Sequence, residues 1–328
     1  MRPFPGRAGS GLALAPLLAL AVALGSCSSP RAIPPLRKPW PGRPAAAGFP
    51  VTLRDALGNR VTIPRPPLRI VSLAPATTET LFALGLGPRI VGDTVYCDYP
   101  PAARTKAKVG GIDNFSVEKV LALRPDLVVG MPINPEAALA ALRRAGAPVF
   151  AIDPKDIPSV MASLGTLGRL TGRVPRARAL VGAMRRRLDA VRARVATVPP
   201  SGRPTTLLIY QLGPIRVAGG DTFPGDVLAI AGGVNLARDA RGFGIYSVEA
   251  VVAKDPQVML APTMLGDPMG LVKALLASRS LQGVAAVRNK RVYALNADTV
   301  DRPGPRIVEG IEEVARVLHP GLFGKGKR

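Results

Sequence analysis

One histidine, His319, and two cysteines, Cys27 and Cys97, are the only imidazole and thiol groups in this 328-residue chain. That inventory excludes a His-rich metal centre. No CxxC, GxSxG, HExxH or Walker sequence points to redox, acyl-transfer, metalloprotease or nucleotide chemistry. Aromatic residues make up 4% of the chain, poor material for stacking on bases. The net charge of +22 invites a polyanionic partner, but the arginines are scattered and form no nucleic-acid motif. A basic surface facing acidic lipid or an anionic ligand is the better use of this charge. Beyond the N-terminus no apolar run approaches the ~20 residues of a spanning helix.

The N-terminal segment reads as an export signal. Arg2 and Arg7 precede the apolar run Gly11–Leu24, and small residues lead into Cys27. The run is short for a spanning helix and suits a cleaved leader. The Cys at its end makes residues 1–26 resemble a bacterial lipoprotein signal, with Cys27 as the acylated first residue of the mature chain. An ordinary signal peptide with a chance Cys is the plainer alternative. Acylation of Cys27 would leave Cys97 alone and the fold without an intramolecular disulfide. Residues 27–50 are rich in Pro and small residues and read as a tether, about 3 Å per residue where extended. The rest is long enough for two lobes with separate cores: residues 51–172, a linking helix over 173–198, and residues 199–328.

Periodicity predicts an α/β fold. A hairpin is expected over Val51–Pro64 around an Asp/Gly/Asn turn. Strand-like runs at Arg69–Pro75, Arg89–Asp93, Asp126–Gly130 and Pro148–Ile152 alternate with helical runs at Ala76–Gly87, from Ser116, and through Pro135–Gly146. A second series restarts at Thr205–Gln211 and continues through Gln257–Ala261, Arg291–Leu295 and a last helix over Pro303–Leu318. Such alternation predicts two lobes with mainly parallel sheets flanked by helices. Between the series, Leu180, Met184, Leu188, Val191 and Val195 recur at helical spacing, with arginines elsewhere. Pro175 suits a first turn and Pro199-Pro200 a stop. A basic amphipathic helix can lie on a membrane; between two α/β units, joining them is the better role.

One pattern occurs twice: "FSVEKVLALRPDLVV" from Phe115 and "YSVEAVVAKDPQVML" from Tyr246. In each, Ser116 or Ser247 fits an N-cap and Glu118 or Glu249 the first turn. Capping and dipole chemistry explain either copy. Matched carboxylates on twin lobes suggest a two-point contact with a partner carrying arginines.

Together "RIVSLAPATTETLFALG", "CDYPPAARTKAKVGG", the two SVE segments and "DRPGPRIVEGIEEVARVL" resemble the solute-binding proteins of ABC importers for cobalamin, haem and ferric siderophores, over about residues 66–320. The resemblance implies two lobes joined by one long α-helix, a ligand held between them, no catalysis, and docking of Glu118 and Glu249 on arginines of a membrane permease. It implies a monomeric lipoprotein on the periplasmic side of the cell envelope, anchored through Cys27, with no nucleic acid, no resident cofactor and no bound metal of its own. The similarity is greatest to the cobalamin-binding branch. That branch puts Tyr99 of the DYP segment on the corrin face, Pro75 and Ala76 on the N-terminal wall, Phe243 at an aromatic position, and Asp298 and Arg302 on polar ligand groups. Ile112 and Met131 stand where that branch carries Trp, and Arg216 falls near an expected aromatic. Arg216 and Arg302 suit carboxylates of haem or a siderophore, so a ferric siderophore or haem remains the alternative cargo. Asp298 and Arg302 are also placed to pair with each other, Tyr99 to cap the Pro100-Pro101 turn, Arg216 to be ordinary surface, and Cys97 to be a buried filler. A metal-cluster enzyme on a related scaffold is the alternative of another class.

Overall fold

A computed structural model describes residues 48–263, 267 and 269–324. The expected signal, Cys27 and nearly all of the tether lie outside the described residues. The hairpin forms as expected: β1 (Val51–Arg54) pairs antiparallel with β2 (Arg60–Ile63). The Asp55 carboxylate closes its turn by accepting from the Leu57 and Asn59 amides.

The N-terminal lobe is a doubly covered parallel sheet. Its strands are β3 (Ile70–Ser72), β4 (Ile90–Asp93), β5 (Ala107–Lys108), β6 (Leu127–Gly130) and β7 (Val149–Ala151), in the order β5-β4-β3-β6-β7. Helices α1 (Pro75–Ala83), α2 (Val117–Ala122) and α3 (Glu136–Arg144) form the crossovers. Alternate residues enter different cores. Ile70 and Val129 pack with Leu81 and Leu84, whereas Val71 and Val128 pack with Leu139 and Leu142. Burial on both faces is why these strands read as continuous apolar runs.

The joint is wider than a single strut. Helix α4 (Ile157–Thr171), absent from the sequence reading, starts at a capping box of Asp156 and Ser159. The chain reverses at Gly172 (φ +68°). It then enters α5 (Val174–Val195), the expected joining helix. Gly168 lets the two meet closely: a Cβ there would lie 2.5 Å from that of Ala177. Leu167, Leu170 and Ala177 belong to the N-terminal core. Ile157, Val160 and Leu164 of α4 join Met184, Leu188 and Val191 of α5 in a core shared with Leu208 and Leu260 of the C-terminal lobe. Both helices therefore run from one core into the other.

In the C-terminal lobe, β8 (Thr205–Leu212), β9 (Ile215–Ala218), β10 (Val234–Asn235), β11 (Phe243–Tyr246), β12 (Val258–Thr263) and β13 (Val292–Asn296) form one sheet ordered β11-β9-β8-β12-β13, with β10 also on β8. Strands β8, β10, β12 and β13 are parallel. The antiparallel β9–β11 ribbon was not foreseen from the sequence. Helices α6 (Phe223–Ile230), α7 (Val248–Lys254), α8 (Gly270–Ala277), α9 (Ala285–Arg288), α10 (Ala297–Val300), α11 (Ile307–Leu318) and α12 (Pro320–Phe323) complete the lobe. The helix expected to be last, α11, begins at Ile307 rather than Pro303, because Gly304 and Pro305 occupy the turn before it, and the short α12 follows it. Among the described residues no helix is long and apolar enough to cross a membrane.

Candidate functional site

An all-parallel sheet puts the C-terminal ends of its strands on one edge, the usual place for a ligand. Pro75 and Ala76 follow β3, Tyr99 follows β4, Ile112 follows β5 and Met131 follows β6, so the topology gathers them there. Buried Asn134 ties the loops together. Its Nδ2 donates to Leu73 O (2.9 Å) and Ile112 O (2.8 Å), and its Oδ1 accepts from the Met131 amide (2.8 Å). Pro75 and Ala76 are buried in the first turn of α1. Ile112 and Met131 are half-buried, and Met131 packs against the lobe's core.

The loop carrying Tyr99 rests on a polar foundation. Cys97 is a buried free thiol accepting from Thr78 Oγ1 at 3.1 Å, with Thr94 Oγ1 at 3.2 Å. Burial pushes its pKa up, which suits a filler rather than a reactive thiolate. Lys108 Nζ contacts Asp93 Oδ1 at 2.7 Å and donates to Cys97 O and Ala103 O, both 3.1 Å away. Burial raises Asp93 to about 6 despite Lys108.

The two lobes meet through charge. Glu79 on α1 is 3% exposed. It accepts two hydrogen bonds from Arg306, each 2.7 Å, and one of 3.1 Å from Arg302. Arg302 also donates to Asp98 Oδ1 at 2.9 Å, and its Nη2 lies 2.7 Å from Asp298 Oδ1. Asp298 and Arg302 are thus paired, within a five-member cluster that reaches the opposite lobe. Three carboxylates compete for Arg302. Burial is the largest influence on Asp98 and pushes it up, but the hydrogen bond and charge of Arg302, its own amide and Arg104 together hold it below the ordinary value. Asp298 is raised by burial, with neighbouring carboxylates adding to the shift and Arg302 opposing it. Both arginines are raised despite burial, because the carboxylates stabilise their charge. The Arg306 guanidinium stacks 3.8 Å from the Tyr99 ring centroid, and the ring remains 43% exposed. Gly304 sits close enough to α1 that a Cβ would lie 3.6 Å from Ala76 O.

In the C-terminal lobe the β9–β11 ribbon carries exposed apolar side chains. Phe243 (46% exposed) and Ile245 (63%) share its outer face, and Arg216, also exposed, lies directly opposite Ile245. Tyr210 supports Phe243 edge-on at 5.0 Å and donates through its hydroxyl to Asp301 Oδ1 at 2.6 Å. Burial raises Asp301 to about 6 even though the Tyr210 hydrogen bond lowers it, and pushes Tyr210 upward. Asp301 adjoins Arg302, so ribbon and cluster are one continuous arrangement.

Glu79, Arg306 and Asn134, and the exposed Val95, Tyr96 and Ile133 beyond β4 and β6, are not singled out by motif or periodicity. A Glu within the apolar "TTETLFALG" run was the one available signal, since a buried carboxylate requires a cationic partner. Glu118 and Glu249 are fully exposed. Each is held below the ordinary carboxylate range by its own amide and by the hydroxyl of Ser116 or Ser247. Those serines cap α2 and α7 as expected, accepting from the Lys119 and Ala250 amides. Among the described residues no group of His, Cys, Asp and Glu is arranged to hold a metal ion.

Known proteins share this architecture. A family model described as periplasmic binding protein matches residues 70–299. The uncharacterized ABC transporter substrate-binding lipoprotein YvrC of Bacillus subtilis is 32% identical over 314 residues, 94% of this chain and 97% of that one. The vitamin B12-binding protein of Vibrio cholerae is 32% identical over 259 residues, 78% of this chain and 90% of its own. The crystal structure of a periplasmic haem-binding protein from Pseudomonas aeruginosa superposes with a TM-score of 0.71 at 29% identity, covering 78% of this chain and 94% of that one. The chain belongs to the periplasmic binding protein family and is a non-catalytic solute-binding protein of an ABC importer, related to binders of cobalamin, haem and siderophores.

Proposed function

We propose that the crevice captures cobalamin or a related corrinoid outside the cytoplasmic membrane and that the chain delivers it to the importer's permease. The observation carrying this reading is the make-up of the walls: exposed Tyr99 and Phe243, with Val95, Tyr96, Ile133 and Ile245 nearby, around one compact charge cluster. A large macrocycle with apolar faces and a polar rim calls for broad apolar area and a few placed polar groups. Tyr99 and Phe243 cover the ring faces, while Asp98, Asp298 and Arg302 meet rim amides. Pro75, Ala76, Ile112 and Met131 shape the N-terminal wall. The vitamin B12-binding relative supports this choice.

Exposed Arg216 favours a second reading, in which haem or a ferric siderophore presents a carboxylate to the ribbon. Under either reading Glu118 and Glu249 register the protein on permease arginines, acting on orientation and encounter rate more than on affinity. Acylated Cys27 and the tether keep a monomeric domain near its transporter. Side-by-side titration of the purified chain with cyanocobalamin, haem and ferric siderophores tests the proposal. Cyanocobalamin binding at micromolar affinity or better is expected; preference for haem or a siderophore selects the second reading, and binding of none overturns both.

A further inference from the structure

The outer face of α5 has no part in the crevice. This 22-residue helix carries seven arginines and one aspartate. At 1.5 Å per residue it forms a rod about 33 Å long. Between α5, α11 and α12 lies a groove of about 470 Å³. Small residues at 183 and 190 leave its floor open, and Phe323 forms one wall. Arg187 is neutralised by Glu312 through two bonds of 2.8 Å each. Arg186, Arg194 and Arg316 line the same groove; among the described residues none of them forms an ion pair, although Glu312 and Glu313 lie close enough to Arg316 to offset part of its charge. The Arg194 guanidinium rests 5.2 Å from the Phe323 ring centroid. Positive charge is therefore concentrated over an apolar floor.

We propose that this face seats the headgroups of anionic phospholipids and lays the domain against an acidic bilayer. Guanidinium groups match phosphate oxygens in geometry and charge. Ala183, Ala190 and Phe323 offer apolar surface to the glycerol region, as on an interfacial helix. A long basic rod suits a plane of negative charge better than a single acidic partner side chain. The chain before Gly48 carries Arg2, Arg7, Arg31, Arg37, Lys38 and Arg43 and no acidic residue, so its charge has the same sign as this face. The proposal does not depend on the cargo.

The full chain carrying Cys27→Ser, and so no acyl group, is partitioned between vesicles of phosphatidylcholine alone and vesicles with about one-third phosphatidylglycerol. The ratio of the two partition coefficients cancels insertion of the apolar N-terminus. The expected preference for the anionic vesicles is about tenfold or more at low salt, falling as salt rises. Arg186→Glu with Arg194→Glu removes most of it. Arg54→Glu with Arg60→Glu, exposed on the hairpin and matched in charge change, leaves it within about twofold. Arg186→Gln with Arg194→Gln gives a smaller loss in the same direction and guards against misfolding of the reversal variant. Equal partition, a preference surviving the groove changes, or one lost equally in the hairpin pair overturns the proposal.

Discussion

Glu79 and Arg306 join the two lobes through two parallel hydrogen bonds of 2.7 Å each, although they stand 227 residues apart in the chain. This buried bidentate pair fastens α1 of one lobe to the segment ahead of α11 in the other. Arg302 shares the same carboxylate and extends the contact to Asp98.

Removing that carboxylate leaves two guanidiniums, each with a side chain less than 15% exposed, short of a partner. Glu79→Ala should cost about 3 kcal/mol of stability, read from the urea midpoint, and should loosen the lobes, read as a larger radius of gyration. Unchanged values on both would show that the cluster does not hold the lobes.

Acid should affect the C-terminal lobe in a defined direction. Asp301 has a folded pKa of about 6, above its ordinary 3.8. The folded state therefore holds this proton more tightly, and the group's contribution to stability rises as pH falls from about 7 toward 4. His319, lowered by burial, works the opposite way: its contribution is lost as pH falls below 6.5 through its depressed folded value. Asp98, pushed up by burial but held below its ordinary value chiefly by Arg302, does not shift in the direction of Asp301. Comparison with Asp301→Asn isolates the effect. The gap in unfolding free energy between wild type and variant should shift in favour of wild type between pH 7 and pH 5. A gap constant with pH would contradict the burial assigned to Asp301.

Glu118 and Glu249 are exposed and bond only within their own SVE segments, through Ser116 and Ser247. Replacing both with Ala should leave cargo affinity within about twofold while removing most uptake by cells that depend on this importer. Uptake at the wild-type rate would refute the docking role.

Local signals were legible in the sequence and tertiary ones were not. The limits of α5 follow from Pro175 at its start and Pro199-Pro200 beyond its end, and the parallel strands from their doubly buried apolar runs. Helix α4 escaped because Gly165, Gly168, Ser163 and Thr166 dilute its helical pattern, although Asp156 and Ser159 had offered a cap. The β9–β11 ribbon escaped because its four-residue strands are separated by Gly-rich segments. Strand order placed Tyr99, Ile112 and Met131 on one edge, but no periodicity joins Glu79 to Arg306 or lets Asn134 span three loops. The first contact exists only once the two lobes have packed, the second only once the N-terminal sheet has brought its loops together.

The most direct measurement is calorimetric titration of cyanocobalamin into the wild-type chain and into Tyr99→Ala with Phe243→Ala. One corrinoid per chain is predicted, with affinity falling about tenfold or more once the two exposed rings are gone. Equal affinity in both proteins would place the cargo outside the crevice and contradict the account.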